Sequence, residues 1–79
     1  MWDVKISPDG IYVAGAYDKG EVKLFEHDTL KEIKSVKAHN NCTYSCIFTN
    51  DSKLLITGGG KNSDIKILTV PELKEVKAL

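Results

Sequence analysis

The sequence predicts an all-β chain of two four-stranded antiparallel units, and three observations carry that prediction. The first is internal repetition. A shift of 42 positions lays Trp2, Val4, Ile6, Asp9 and Val13 over Tyr44, Cys46, Phe48, Asp51 and Leu55. Beyond Tyr17 the shift becomes 43, and Val22-Lys23-Leu24-Phe25 falls on Ile65-Lys66-Ile67-Leu68, with Leu30-Lys31-Glu32-Ile33-Lys34 on Leu73-Lys74-Glu75-Val76-Lys77. The second is period-two alternation of apolar and polar residues within each half, the spacing of a strand. The third is the punctuation of those runs by turn formers, with the one-residue insertion falling among Asp18 to Gly20 and Gly60 to Ser63, where a change of length is tolerated.

Four strands fit each half. In the first they are expected at Trp2 to Ile6, Ile11 to Ala16, Glu21 to Phe25 and Glu32 to Val36. Ser7-Pro8-Asp9-Gly10, Asp18-Lys19-Gly20 and His27-Asp28-Thr29 separate them: proline fixes φ, glycine permits positive φ, and Ser or Asp side chains close local hydrogen-bonded turns. In the second half the strands are expected at Thr43 to Phe48, Lys53 to Gly58, Asp64 to Leu68 and Lys74 to Leu79. The last strand of each half is ambiguous on periodicity alone. Leu30, Ile33 and Val36 recur every three residues, as do Leu73, Val76 and Leu79, which suits the stripe of a short helix as well as a strand. The second strands, Ile11 to Ala16 and Leu54 to Thr57, are apolar on both faces, as expected of sheets covered on either side.

Trp2-Asp3-Val4-Lys5-Ile6-Ser7-Pro8-Asp9-Gly10 resembles the innermost strand and following turn of a WD-repeat (WD40) β-propeller blade. Gly20-Glu21-Val22-Lys23-Leu24-Phe25-Glu26 resembles the third strand, with Phe25-Glu26 where the family has Trp-Asp, and Ala38-His39 resembles its Gly-His. The resemblance covers the whole chain. It implies an outer strand, not a helix, at Ile33 and Val36, a first blade over 1–37 and a second over 38–79. It also implies that two blades are a fragment of a larger ring, or complete one with other chains, and are not self-sufficient, since each blade needs neighbours on both faces. The Trp-Asp pair is missing from both copies, the second having Leu68-Thr69. Of the hydrogen-bonded chain that ties many family blades together, the second copy offers His39, Thr57 and Asn62 as a structural network, with Leu68 unable to donate. The first copy, with Lys19 at the Asp position, should lack it.

In the family, the loops on one rim of the ring dock peptide partners. Here they hold Tyr17, Asp18 and Lys19, then His39, Asn40 and Asn41, then Lys61, Asn62 and Ser63. Tyr17, Asp18, Lys19, Asn40, Asn41, Lys61 and Asn62 are therefore the candidate partner-binding residues, with Tyr17 as the anchor because tyrosine adds apolar area at low entropy cost. The function this implies is a non-catalytic scaffold for protein–protein interaction in a multiprotein complex. The alternative is a structural brick of a cytoskeletal, axonemal or coat assembly.

Composition narrows the remaining classes. Eleven basic and eleven acidic residues cancel, which speaks against a nucleic-acid partner. The longest apolar run, Ile11 to Ala16, is far short of the ~20 residues of a membrane span, and no signal pattern opens the chain, so an intracellular, cytoplasmic or cytoskeleton-associated protein is expected. Cys42 and Cys46 would lie ~13 Å apart on one strand face and read as reduced thiols. Cys46 aligns with the core position Val4, so a Cys-His nucleophile with His39 is disfavoured, and His27 enters a polar turn. The cysteines and His39 lack zinc spacing. Gly58-Gly59-Gly60-Lys61-Asn62-Ser63 lacks the first glycine and the final Ser/Thr of a phosphate loop. No enzyme activity, metal or cofactor is expected. The lysines of the outer strands, Lys31, Lys34, Lys37, Lys74 and Lys77 with Glu32 and Glu75, read as protection of sheet edges.

Overall fold

The computed structural model describes residues 3–39, 43–59 and 64–78. Its elements are strands β1 (Asp3–Ile6), β2 (Tyr12–Ala16), β3 (Glu21–Glu26), β4 (Glu32–Lys37), β5 (Thr43–Phe48), β6 (Leu54–Gly59), β7 (Asp64–Thr69) and β8 (Glu75–Ala78), with a 3-10 turn at Asp18–Gly20. They form two antiparallel sheets, each in sequence order, β1 to β4 and β5 to β8. The outer elements are strands, which resolves the helix alternative. The three-residue spacing arose because Leu30 and Leu73 belong to turns, while Ile33 and Val36 stand on opposite faces of β4.

The turns repeat as faithfully as the strands. After β1, Asp9 Oδ1 accepts from Ser7 Oγ at 2.6 Å and from Ile11 N at 3.0 Å, while Ser7 Oγ accepts from Tyr12 N at 2.9 Å. After β5, Asp51 Oδ1 accepts from Thr49 Oγ1 at 2.6 Å and Lys53 N at 3.0 Å, and Thr49 Oγ1 accepts from Leu54 N at 3.2 Å. The left-handed residue is Gly10 (φ 76) in the first turn and Ser52 (φ 61) in the second. Serine bears a steric cost there that glycine does not. The Ser52 hydroxyl offsets it by accepting from Asp9 N at 3.1 Å, joining the two turns.

The third-to-fourth-strand turns also match. Leu30 (φ 58) and Leu73 (φ 54) are both left-handed, and their N–H groups donate to the carbonyls of Glu26 and Thr69 at 2.8 and 2.7 Å. Each third strand is bulged against the fourth at equivalent positions, Leu24/Phe25 and Ile67/Leu68. The outer-strand glutamates pair inward with the neighbouring strand, Lys23 with Glu32 at 3.7 Å and Lys66 with Glu75 at 3.2 Å.

Period-two alternation gives each sheet two faces, and the core lies where one face of each meets. The first sheet presents Ala14, Ala16, Val22 and Leu24, and the second presents Cys46, Phe48, Leu55 and Leu68, with Leu73 closing one end and Ala38 the other. Leu24, Leu55, Val22, Ala14 and Ala16 are wholly buried. Small alanines on one side and large side chains on the other let the sheets approach closely, with Cys46 Sγ 3.8 Å from the Ala14 carbonyl oxygen. The opposite faces are open: Val4, Ile6 and Leu30 on the first sheet and Ile47 on the second are each more than half exposed.

Candidate functional site

The backbone brings the sequence-predicted rim residues of the first sheet against the start of the second. In the turn after β2, Tyr17 N donates to Glu21 O at 2.9 Å, and Lys19 (φ 64) and Gly20 (φ 82) turn the chain back into β3. The Gly20 carbonyl then accepts from both Ala38 N at 2.8 Å and His39 N at 3.2 Å, and the Tyr17 carbonyl accepts from Thr43 N at 3.0 Å. Two stretches distant in sequence are thus clamped into one rim, with the Asp18 and Lys19 side chains exposed on it. Asn40, Asn41, Lys61 and Asn62 lie outside the described residues, as do Trp2, Cys42, Gly60 and Ser63.

Tyr17, the expected anchor, behaves differently. Its ring lies over Gly15, where a methyl group would stand 2.6 Å from Tyr17 Cε1. Lys23 Nζ sits 5.2 Å from the ring centroid, a cation–π distance. With Val4, Val13, Phe25 and Leu30 the ring lines a hollow of about 260 Å³ on the open face of the first sheet. The Tyr17 backbone belongs to the rim, and its side chain to the sheet face.

Of the expected network of His39, Thr57 and Asn62, the first two are brought together and the third lies outside the described residues. His39 Nε2 and Thr57 Oγ1 are 2.9 Å apart, and both residues are buried. Leu68 fills the neighbouring core volume at 2% exposure, supplying apolar contact where an indole would have supplied a donor. In the first sheet Gly15 occupies the position equivalent to Thr57, so that sheet has no hydroxyl to build the network, and the Tyr17 ring covers the space.

Two ties between the sheets were not foreseen. Asp3 Oδ2 accepts from Cys46 N at 3.3 Å, and Asp9 N donates to Ser52 Oγ; both pairs are 43 residues apart, so each residue meets the one just past its repeat equivalent. Lys5 Nζ, 2.8 Å from Asp3 Oδ2, holds that carboxyl below its usual range. Burial and the Asp3 charge push the Cys46 thiol up to about 11, so it stays protonated at neutral pH and behaves as a small core residue. His27 is exposed beside Asp28, with Nδ1 3.8 Å from its carboxylate. Among the described residues no group of three or more His, Cys, Asp or Glu side chains is placed to hold a metal ion, and no helix is long and apolar enough to cross a membrane.

A family model described as WD domain, G-beta repeat matches residues 30–67. The chain is 36% identical over 66 residues to the LST8 homolog of Drosophila pseudoobscura pseudoobscura, an alignment covering 73% of the chain and 21% of that protein. It is 30% identical over 80 residues to the protein transport protein SEC31 of Candida glabrata, covering 96% of the chain and 6% of that protein. In fold it is similar to U3-55K, with a TM-score of 0.87 at 20% identity over 96% of the chain and 23% of that structure. The chain thus spans about a fifth or less of the relatives it matches.

Proposed function

The chain is two WD-type β-propeller blades in tandem, and from that premise we propose that it acts as a non-catalytic scaffold presenting a protein-docking rim within a multiprotein complex, in an intracellular setting. The observation that carries this reading is the clamped rim. Backbone hydrogen bonds from Ala38, His39 and Thr43 to the Gly20 and Tyr17 carbonyls fix the loops of two blades relative to each other, and Asp18 and Lys19 project from that fixed base. A rim ordered before binding loses little entropy when a partner docks. Among the described residues, the candidate nucleophile and bases have other roles: Cys46 is a buried, protonated thiol, His39 is held by Thr57, and His27 is solvated. Asp18 and Lys19 replace Tyr17 as the contacts to test, since the Tyr17 ring belongs to the open sheet face.

A photo-reactive residue placed at Lys19, in the protein as expressed in its own cell, is expected to yield one dominant protein adduct that Asp18→Lys removes. The comparison position is Lys77 on the outer strand. Adducts from Lys77 alone would favour the assembly-brick reading, which the likeness to a protein transport protein keeps in view. No specific adduct from either position would overturn the scaffold reading.

A further inference from the structure

At the ends of the strands opposite the docking rim, a hollow of about 360 Å³ lies between the two blades. Ile11 and Tyr12 border it from the start of β2, Glu26 and Asp28 from the end of β3 and its turn, Ile33 from β4, and Pro71 from the turn after β7. Its walls thus come from both blades. They are also fixed in place. His27 N donates to Ile11 O at 2.9 Å, Leu30 N to Glu26 O at 2.8 Å, and the Thr29 hydroxyl to Glu26 Oε1 at 2.8 Å.

The lining divides into two chemistries. Ile11 and Ile33 are 54% and 42% exposed although they stand beside packed blades, and Tyr12 adds an aromatic side chain. The charged residues of the lining, Glu26 and Asp28, are both acidic. Thr29 engages Glu26 Oε1, which leaves Oε2 without a hydrogen bond among the described residues, and Asp28 stands 3.8 Å from His27 Nδ1. The second blade serves as an internal control. Its positions equivalent to Ile11, Glu26, Asp28 and Ile33 hold Lys53, Thr69, Pro71 and Val76. A blade folds without either carboxylate and without an isoleucine at the first position, so their gathering in the first blade serves something other than its fold.

We propose that this hollow takes a short segment of a partner protein in which an arginine stands beside a large apolar residue. The guanidinium complements the two carboxylates, while its methylene stem and the apolar neighbour cover Ile11 and Ile33. Arginine suits the site better than lysine because its five donors serve two separate carboxylates and its plane stacks on an aromatic ring such as that of Tyr12. All eleven basic residues of this sequence are lysines, so a second copy of it does not supply the arginine. The volume is near the low end of the ~300–1,000 Å³ of ligand pockets, which fits side chains of a peptide and not a folded surface. The hollow and the docking rim lie at opposite strand ends, so the two readings fail separately.

The test pans a display library of random short peptides on the protein as expressed in its own cell and purified, and in parallel on Glu26→Gln and Ile11→Lys. Glutamine keeps an acceptor for Thr29, and lysine is the residue at the equivalent position of the second blade, so both changes keep the fold. Far-UV circular dichroism checks this, and Ile11→Ser is read in place of Ile11→Lys if the strand signal falls. The expected enrichment is an arginine next to a large apolar residue, recovered on the unaltered protein and on the rim variant Asp18→Lys but on neither hollow variant. By fluorescence anisotropy, the selected peptide should bind Glu26→Gln at least about tenfold more weakly, the loss expected of one charged hydrogen bond. Enrichment without arginine, a motif that survives Glu26→Gln or the Ile11 variant, equal affinity when lysine replaces the arginine of the peptide, or no enrichment at all would overturn the proposal.

Discussion

Replacing Thr57 by valine removes a hydroxyl and changes almost nothing else in shape, so it isolates the hydrogen bond to His39. Thr57 is wholly buried and His39 is 2% exposed, so water cannot replace the lost partner of Nε2. A buried polar group deprived of its partner costs ~1–3 kcal/mol. A chain of this length has a total stability of roughly 4–12 kcal/mol, so the change takes a large share. With a urea slope near ~1 kcal/mol/M, the unfolding midpoint should fall by ~1–3 M. Thr57→Ser keeps the hydroxyl and should lose only ~0.8 kcal/mol for its missing methyl. Adding His39→Leu to Thr57→Val should cost less than His39→Leu costs alone, because the pair is then removed together. A Thr57→Val chain within about 0.3 kcal/mol of the original, or a cycle without coupling, would refute the claim that this bond holds the second blade.

Two further outcomes follow from the turns. Leu73→Ala should cost ~2–5 kcal/mol, whereas Leu30→Ala, the same change at the equivalent left-handed position, should cost under ~1 kcal/mol because its side chain is largely exposed. The comparison is made by urea titration at concentrations where the mass is that of one chain, and equal losses would show that Leu73 does not plug the interface between blades. Ser7 and the Ile11 N–H hold the Asp9 carboxyl below its usual range, as Thr49 and the Lys53 N–H do for Asp51. Their folded values lie below the unfolded ones, so the stability they add is complete above the unfolded value near ~3.9 and is lost as pH falls through the folded value. Asp9→Asn with Asp51→Asn should therefore be less stable than the original at pH 7, and the gap in urea midpoint should narrow as pH drops toward ~3; a constant gap would assign the loss to something other than charge.

The repeat, the eight strands and the turns after β1 and β5 were legible because each rests on local chemistry, period-two alternation and side chains that close their own turns. Tyr17 was misplaced for a physical reason. A sheet apolar on both faces gives no signal of which way a residue just beyond the strand end directs its ring, and only the absence of a side chain at Gly15, two residues away, marks where the ring could lie. Leucine is not a turn former, so the left-handed Leu30 and Leu73 read as members of an apolar stripe. Ser52 hid its turn geometry in the same way, since its compensation comes from Asp9 in the other blade. Of the candidate rim, Asp18 and Lys19 stand exposed as expected, while His39 is drawn inward by Thr57.

Two hydrogen bonds between blades, Asp3 to Cys46 and Asp9 to Ser52, join a residue to the one just past its repeat equivalent. Cohesion in such a molecule passes from neighbour to neighbour, in the manner of a one-dimensional chain of coupled units. A blade gains most of its permanence from the unit beside it, so loosening one unit lowers the protection of its neighbour's amides while distant units keep theirs. The absence of an indole in the second blade is tolerable in that setting: Leu68 contributes to the shared interface what it withholds from its own sheet.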